Sequence, residues 1–261
     1  MRYFIECSYD GTPFQGWQKQ PGLPTVQETL EQKLQVLLKT PVIDIVGCGR
    51  TDTGVHALRY VAHFDFDGHI EPDLIYHWNA ILPAEIAVKS IRPVAETAHA
   101  RFDATTRTYH YFIHGLKSPF LINKSFFYKQ FSLLKIEELQ QAAQLLRTHS
   151  AYFPFCLSQS GAKNYNVVFK QLEWKMSGDQ GLMFSITANR FLRGMVRLIV
   201  GMCINVAIGQ LKAKEVIQSL ERQELLPKSW SVPPYGLYLV NIEYPDRSGG
   251  NVTPIQDVGI I

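Results

Sequence analysis

Apolar residues recur at helical spacing from Val26 to Leu38, where Val26, Leu30, Leu34, Leu37 and Leu38 share one face. Thr25 and Glu28 ahead of them make a capping box. Before this helix, Arg2 to Ser8 reads as a strand closed by the turn-rich Asp10-Gly11-Thr12-Pro13. After it come two β-rich stretches, Val42–Val46 and Tyr60–Phe66, and then a strand from Ala87 to Val94. The second half predicts a strand at Arg107–His114, an amphipathic helix at Ile136–Arg147, and a strand at Val167–Met176. Ser177-Gly178-Asp179 turns that strand into a hairpin partner, Leu182–Ala188. Helices over Phe191–Ile208 and Lys214–Leu220 precede a last strand, Gly236–Glu243. Strand, helix, strand, strand in each half predicts an α+β chain of two similar lobes, residues 1–104 and 105–245, with a loosely held tail at 246–261.

Composition narrows the class. A chain of 261 residues buries a real core as one large domain or two small ones. Hydrophobic content of 46% and charged content of 19% are ordinary for a soluble globular protein. A net charge of +3 permits a nucleic-acid partner without demanding one. Cys7, Cys48, Cys156 and Cys203 are scattered, so neither a zinc site nor a disulfide framework is signalled. His110 and His114 alternate along a strand with no third ligand nearby, which argues against a metal. The start of the chain lacks the apolar run of a signal peptide, and the apolar Phe191–Ile208 carries Arg193 and Arg197, which argues against a membrane span. The expectation is a cytoplasmic protein with reduced thiols.

The chemistry concentrates in Gly47-Cys48-Gly49-Arg50-Thr51-Asp52-Thr53-Gly54-Val55-His56-Ala57. One acid sits among small, turn-forming residues between two β-rich stretches, a plausible setting for a catalytic carboxylate. Asp52-Thr53-Gly54 is also the triplet of aspartic proteases, but those enzymes pair two such carboxylates and this chain has no second Asp-(Thr/Ser)-Gly. Arg190, Arg193 and Arg197 fall at i, i+3 and i+7 of an otherwise apolar predicted helix, so they share a face and call for anionic partners.

The run from Gly49 to Ala57 resembles, with Thr53 in place of an alanine, the active-site motif of the bacterial tRNA pseudouridine synthase A family. The likeness recurs in register at Tyr9-Asp10-Gly11 with Phe14, Gly16, Trp17, Gln18 and Gln20, and at Thr25-Val26-Gln27. It continues at Asn79-Ala80-Leu82-Pro83, His99-Ala100-Arg101-Phe102, Thr105 to Tyr111, Phe191 to Gly201, and Gly236 to Leu239. The chain is therefore identified as a member of that family. The resemblance implies two α/β lobes sharing a mixed, mostly antiparallel sheet with flanking helices, and a homodimer that grips tRNA. It also implies conversion of uridine to pseudouridine at positions 38 to 40 of the tRNA anticodon arm, with no cofactor.

By that resemblance Asp52 is the carboxylate that acts at the ribose, where cleavage of the N1–C1′ bond builds positive charge. Tyr109 corresponds to the active-site tyrosine that stacks on the target base, and Arg197 to the arginine that pairs with the aspartate. Arg190 and Arg193 are then free to reach RNA phosphates. Arg50, two residues from Asp52, would fill the vacated base stack or grip a phosphate. Phe14 and Trp17 read as core, and His56 as a structural hydrogen-bonding residue. The chain departs from the family at His149–Cys156, at Ser158-Gln159-Ser160-Gly161 and at Asn205, changes that bear on substrate range. Two other readings stay open: a diverged paralogue that binds structured RNA without catalysis, and the same chemistry on a different RNA.

Overall fold

The computed structural model describes residues 1–157 and 164–245. The tail from 246 and Ser158-Gln159-Ser160-Gly161 lie outside the described residues. In chain order the elements are β1 (Arg2–Tyr9), α1 (Val26–Leu38), β2 (Val46–Gly47), β3 (His56–Asp65), α2 (Leu74–Ile81), β4 (Ile86–Val94) and β5 (Thr106–His114). Then follow β6 (Phe126–Phe127), α3 (Ile136–Gln144), β7 (Phe169–Met176), β8 (Gly181–Ala188), α4 (Met195–Ala207), α5 (Ala213–Arg222) and β9 (Leu237–Glu243). The chain divides into two compact units, one of residues up to Thr105 with the strand from Tyr238 onward, the other from Thr106 to Leu237. Both are built on mixed, mostly antiparallel strands with helices, which makes the fold α+β.

In the first unit β1 lies between β3 and β4, antiparallel to both, and β9 joins the free side of β3 in parallel. Nearly every residue of β3 is buried, as expected of a strand covered on both faces. Helix α1 forms where its periodicity predicts, with Val26, Leu30 and Leu34 all 0% exposed. Thr25 Oγ1 accepts the Glu28 N–H at 3.4 Å, and Lys39 in the left-handed region closes the last turn by donating to Gln35 and Val36.

The stretch Val42–Val46 departs from its strand-like pattern, because only Val46–Gly47 pairs, with His63 and Ala62 of β3. Side chains of α1 take over the backbone bonds a ladder would have made. Ile45 N–H donates to Glu31 Oε1 at 3.0 Å, and Gln27 Nε2 donates to the Ile45 carbonyl at 3.0 Å. Helix α2 has no counterpart among the predicted elements; eight residues bury Leu74 and Trp78 one turn apart, too short a period to stand out.

In the second unit β8 is central, antiparallel to β5 and β7. The central strand is thus the first in chain order in one unit and the last of its three in the other, so the two units do not repeat one strand order. The β7–β8 turn places Gly178 at φ +70. Helix α3 tightens into a 3-10 turn at Leu145–Thr148. The segment His149–Cys156 runs into the core: Tyr152, Pro154, Phe155 and Cys156 are buried, and Tyr152 donates to the Leu146 carbonyl at 2.7 Å.

The predicted helix from Phe191 begins only at Met195. Gly194 precedes it at φ +70, a conformation that cannot continue a right-handed helix, and Leu157 packs where a Cβ at Gly194 would stand. Arg190 and Arg193 therefore lie on the strand-to-helix crossover and do not share a helical face with Arg197. All four cysteines are buried.

Candidate active site

The Asp52 loop is held from below by an aromatic stack. Trp17 and Tyr60 lie face to face at 3.9 Å, with Tyr9 tilted at 5.5 Å from Tyr60. All three rings are buried, so Trp17 is core, as is Phe14. Each ring that carries a hydroxyl uses it on the loop: Tyr60 donates to the Gly49 carbonyl, and Tyr9 shares a 2.8 Å bond with Thr51 Oγ1. The opening segment then lies against the loop's backbone. Trp17 N–H donates to the Thr51 carbonyl at 3.1 Å, and Thr53 Oγ1 donates to Gln15 Oε1 at 3.3 Å. Thr53, the residue that departs from the family motif, is thus an exposed strut between two loops.

The loop returns to β3 through a tight turn, with Val55 N–H donating to the Asp52 carbonyl at 3.1 Å. His56 follows, buried and stacked on Tyr238 at 4.5 Å. Its Nδ1 accepts the Gly11 N–H at 3.1 Å and lies 2.9 Å from Asp10 Oδ1. These contacts join the Tyr9-Asp10-Gly11 segment to the motif and give His56 a structural role. The result is a backbone tied at Cys48, Gly49, Thr51, Asp52 and Val55 that presents Asp52 half-buried and Arg50 exposed. A carboxylate so placed keeps one side toward solvent or a ligand while its main chain is fixed, the arrangement that positions a reacting group.

In the second unit Tyr109 sits on β5 opposite Ile186 of β8, part-exposed on a strand whose later residues Tyr111 and Ile113 are fully buried. Phe191 meets it edge to face at 5.1 Å. The two rings stand nearly perpendicular, at 87°, which fixes the orientation of Tyr109. Arg107 Nη1 donates to the Asn189 carbonyl at 2.9 Å, anchoring the crossover that carries Phe191. Arg107 and Phe191, which hold the crossover and the Tyr109 ring, were not singled out as candidates by sequence reasoning. Arg107 was legible in the alternation of β5, which puts it on the Tyr109 face; Phe191 was hidden by its assignment to a helix.

Arg197, on the first turns of α4, donates from Nε to the Val232 carbonyl at 2.7 Å, while Val232 N–H returns a bond to the Arg197 carbonyl at 3.3 Å. This clasp fixes the direction of its guanidinium. Arg190 donates to Asn164 Oδ1 at 3.0 Å, and Arg193 is exposed, its carbonyl accepting the Leu157 N–H. Asn205 donates to the Gly201 carbonyl at 2.7 Å, and its own carbonyl receives Gln210 and Leu211, so it closes the end of α4. Arg50 and Asp52 lie in the first unit, and Tyr109, Phe191, Arg190, Arg193 and Arg197 in the second, where Tyr109 touches Phe191. Among the described residues no group of three His, Cys, Asp or Glu side chains could hold a metal, and no helix is long and apolar enough to cross a membrane.

The family described as tRNA pseudouridine synthase matches residues 7–103 and 142–245. The chain belongs to that family. It is 40% identical over 259 residues to the tRNA pseudouridine synthase A of Parabacteroides distasonis, covering 98% of this chain and 99% of that protein. The protein of the same name from Bacteroides thetaiotaomicron is 40% identical over 94% of this chain and 91% of its own length. That of Bacillus subtilis is 37% identical over 94% and 99%.

Proposed function

We propose that this protein isomerises uridine to pseudouridine in the anticodon arm of tRNA, at positions 38 to 40, with Asp52 acting at the ribose. The family supports tRNA pseudouridylation. The observation that carries the assignment to Asp52 is the tethered motif loop, which leaves that one carboxylate on a fixed backbone beside an exposed arginine.

In this reading the N1–C1′ bond breaks, the uracil turns, and a C5–C1′ bond forms; the C5 proton is released and N1 gains one, so atoms balance without a co-reactant. Asp52 stabilises the positive charge that develops at C1′. Tyr109, its ring set by Phe191, stacks on the base removed from its helix. Arg197, its guanidinium directed by Val232, is carried by the same resemblance as the site arginine. Arg50 occupies the vacated stack or holds a phosphate. Arg190 and Arg193, on the crossover between β8 and α4, reach further phosphates. The same family resemblance supports a cytoplasmic homodimer that holds tRNA across both subunits; light scattering that found only monomer would remove the dimer.

The deciding experiment is tritium release from tRNA labelled at C5 of uridine, with wild type and Asp52→Asn compared. Release by wild type and none by Asp52→Asn is expected, and mapping the product gives the positions. A folded wild type that binds tRNA and releases no tritium would sink the catalytic reading in favour of RNA binding alone or of a different RNA.

A further inference from the structure

The loop between β4 and β5 is held as firmly as the motif loop, yet it exposes its largest apolar side chain. Arg2 of β1 donates to the Ala98 carbonyl at 2.8 Å, Ala100 N–H donates to His63 Nδ1 of β3 at 3.2 Å, and Tyr244 donates to the Ala100 carbonyl at 2.6 Å. Within the loop, His99 Nδ1 accepts the N–H groups of Arg101 and Phe102 at 3.1 and 3.3 Å, and Asp103 carboxylate and backbone both bond to His99. Ala100 is 0% exposed, whereas Phe102, two residues on, is 75% exposed. Its ring rests on His99 at 4.3 Å, and the Arg101 guanidinium carbon lies 5.7 Å from its centroid.

We propose that Phe102 and Arg101 form a nucleobase-stacking platform that holds a second part of the RNA substrate, away from the uridine that reacts. A flat apolar ring with a guanidinium beside it matches a ligand that pairs flat bases with an anionic backbone. The hydrogen-bonded loop has little conformational freedom left to lose on docking. Position makes the platform remote. Asp52 precedes the first residue of β3, while the loop is tied to His63 near its far end and to Arg2, opposite Asp65. Seven strand steps at about 3.3 Å put these ends roughly 23 Å apart. A contact at that distance strengthens binding without touching the reacting atoms.

The inference rests on the tRNA reading of the site, and its test separates the two. Phe102→Ala, Phe102→Leu and Phe102→Trp would be made in the full chain, with circular dichroism to confirm folding, and tRNA binding and steady-state kinetics measured on each. Phe102→Ala should weaken tRNA binding and raise KM about tenfold while kcat at saturation stays at the wild-type value. Phe102→Trp should restore binding, and Phe102→Leu, apolar but not flat, should not. Wild-type binding by Phe102→Ala, or rescue by leucine, would overturn the platform. So would intact RNA binding with a fall in molar mass by light scattering, which would make this face a contact with a second copy. If wild type binds RNA through Phe102 but forms no pseudouridine, the platform stands and the catalytic reading falls; if wild type binds no RNA, both fall.

Discussion

Gly16 sets the height of the Asp52 loop, and replacing it by alanine separates backbone strain from displacement of the site. Gly16 lies at φ +86, and a Cβ there would stand 2.6 Å from the Thr51 carbonyl oxygen, 3.2 Å from the Asp52 carbonyl carbon and 3.3 Å from Thr53 N. All three are backbone atoms of the motif, and ordinary contact begins near 3.4 Å, so the loop or its support must move by roughly 0.8 Å. Gly22 supplies the control, since it has φ +71 and nothing within 4 Å of the added Cβ. Both alanines carry the left-handed backbone cost of roughly 1–2 kcal/mol, partly offset by about 0.4–1 kcal/mol from a stiffer unfolded chain. Gly22→Ala should therefore lower Tm by about 2–4 °C and leave kcat unchanged. Gly16→Ala should lower Tm further and reduce kcat by about 10- to 100-fold, because a 1 Å misplacement of a reacting group costs on the order of a hundredfold. Melting curves and tritium release on both variants decide the matter. Equal kcat for Gly16→Ala and wild type would refute the reasoning that this contact positions Asp52.

The platform loop should also carry a pH dependence. Desolvation, then the nearby Arg2 and His99, lower the His63 pKa from 6.5 to about 4, with Asp65 and Asp103 opposing. Folded His63 stays neutral while the unfolded chain takes up a proton, so its stabilising contribution is whole above pH 6.5 and is lost as pH falls toward 4. Thermal melts of wild type should show that loss, and His63→Gln should flatten it; an unchanged slope would count against the assignment. Arg193→Glu should weaken tRNA binding and make the dependence of affinity on salt shallower by about one phosphate contact, measured by titration across salt concentrations. Unaltered affinity and salt slope would remove Arg193 from the RNA surface.

Where a local rule dominates, the sequence was legible. Helix α1 runs over the residues its 3.6-residue period marks, and the β7–β8 hairpin turns at its glycine. The motif acid was visible because its neighbours are small and special. The failures share a cause. Val42–Val46 has a strand-like composition, but Glu31 and Gln27 of α1, 14 and 18 residues away, bond the Ile45 N–H and carbonyl in place of a ladder. The start of α4 was misread because apolar residues before Gly194 continue the periodicity although the backbone does not, and with it went the shared face of the three arginines.

What the sequence by itself determined is the class: an α+β fold, the family motif, and the identity of the acid, the tyrosine and the arginines as candidates. Those depend on residue type and spacing along the chain, which neighbours in sequence can specify. Only the tertiary structure decided how each candidate is held. Tyr9, Trp17 and Tyr60 come from three elements to carry the Asp52 loop, Phe191 orients Tyr109, and Val232 directs Arg197. It also decided that Phe102 is exposed while Phe14 and Trp17, read as core from the sequence, are buried, although all three are aromatic residues in motif segments. Burial depends on which distant strands close over a residue, and that is a property of packing that no local pattern encodes.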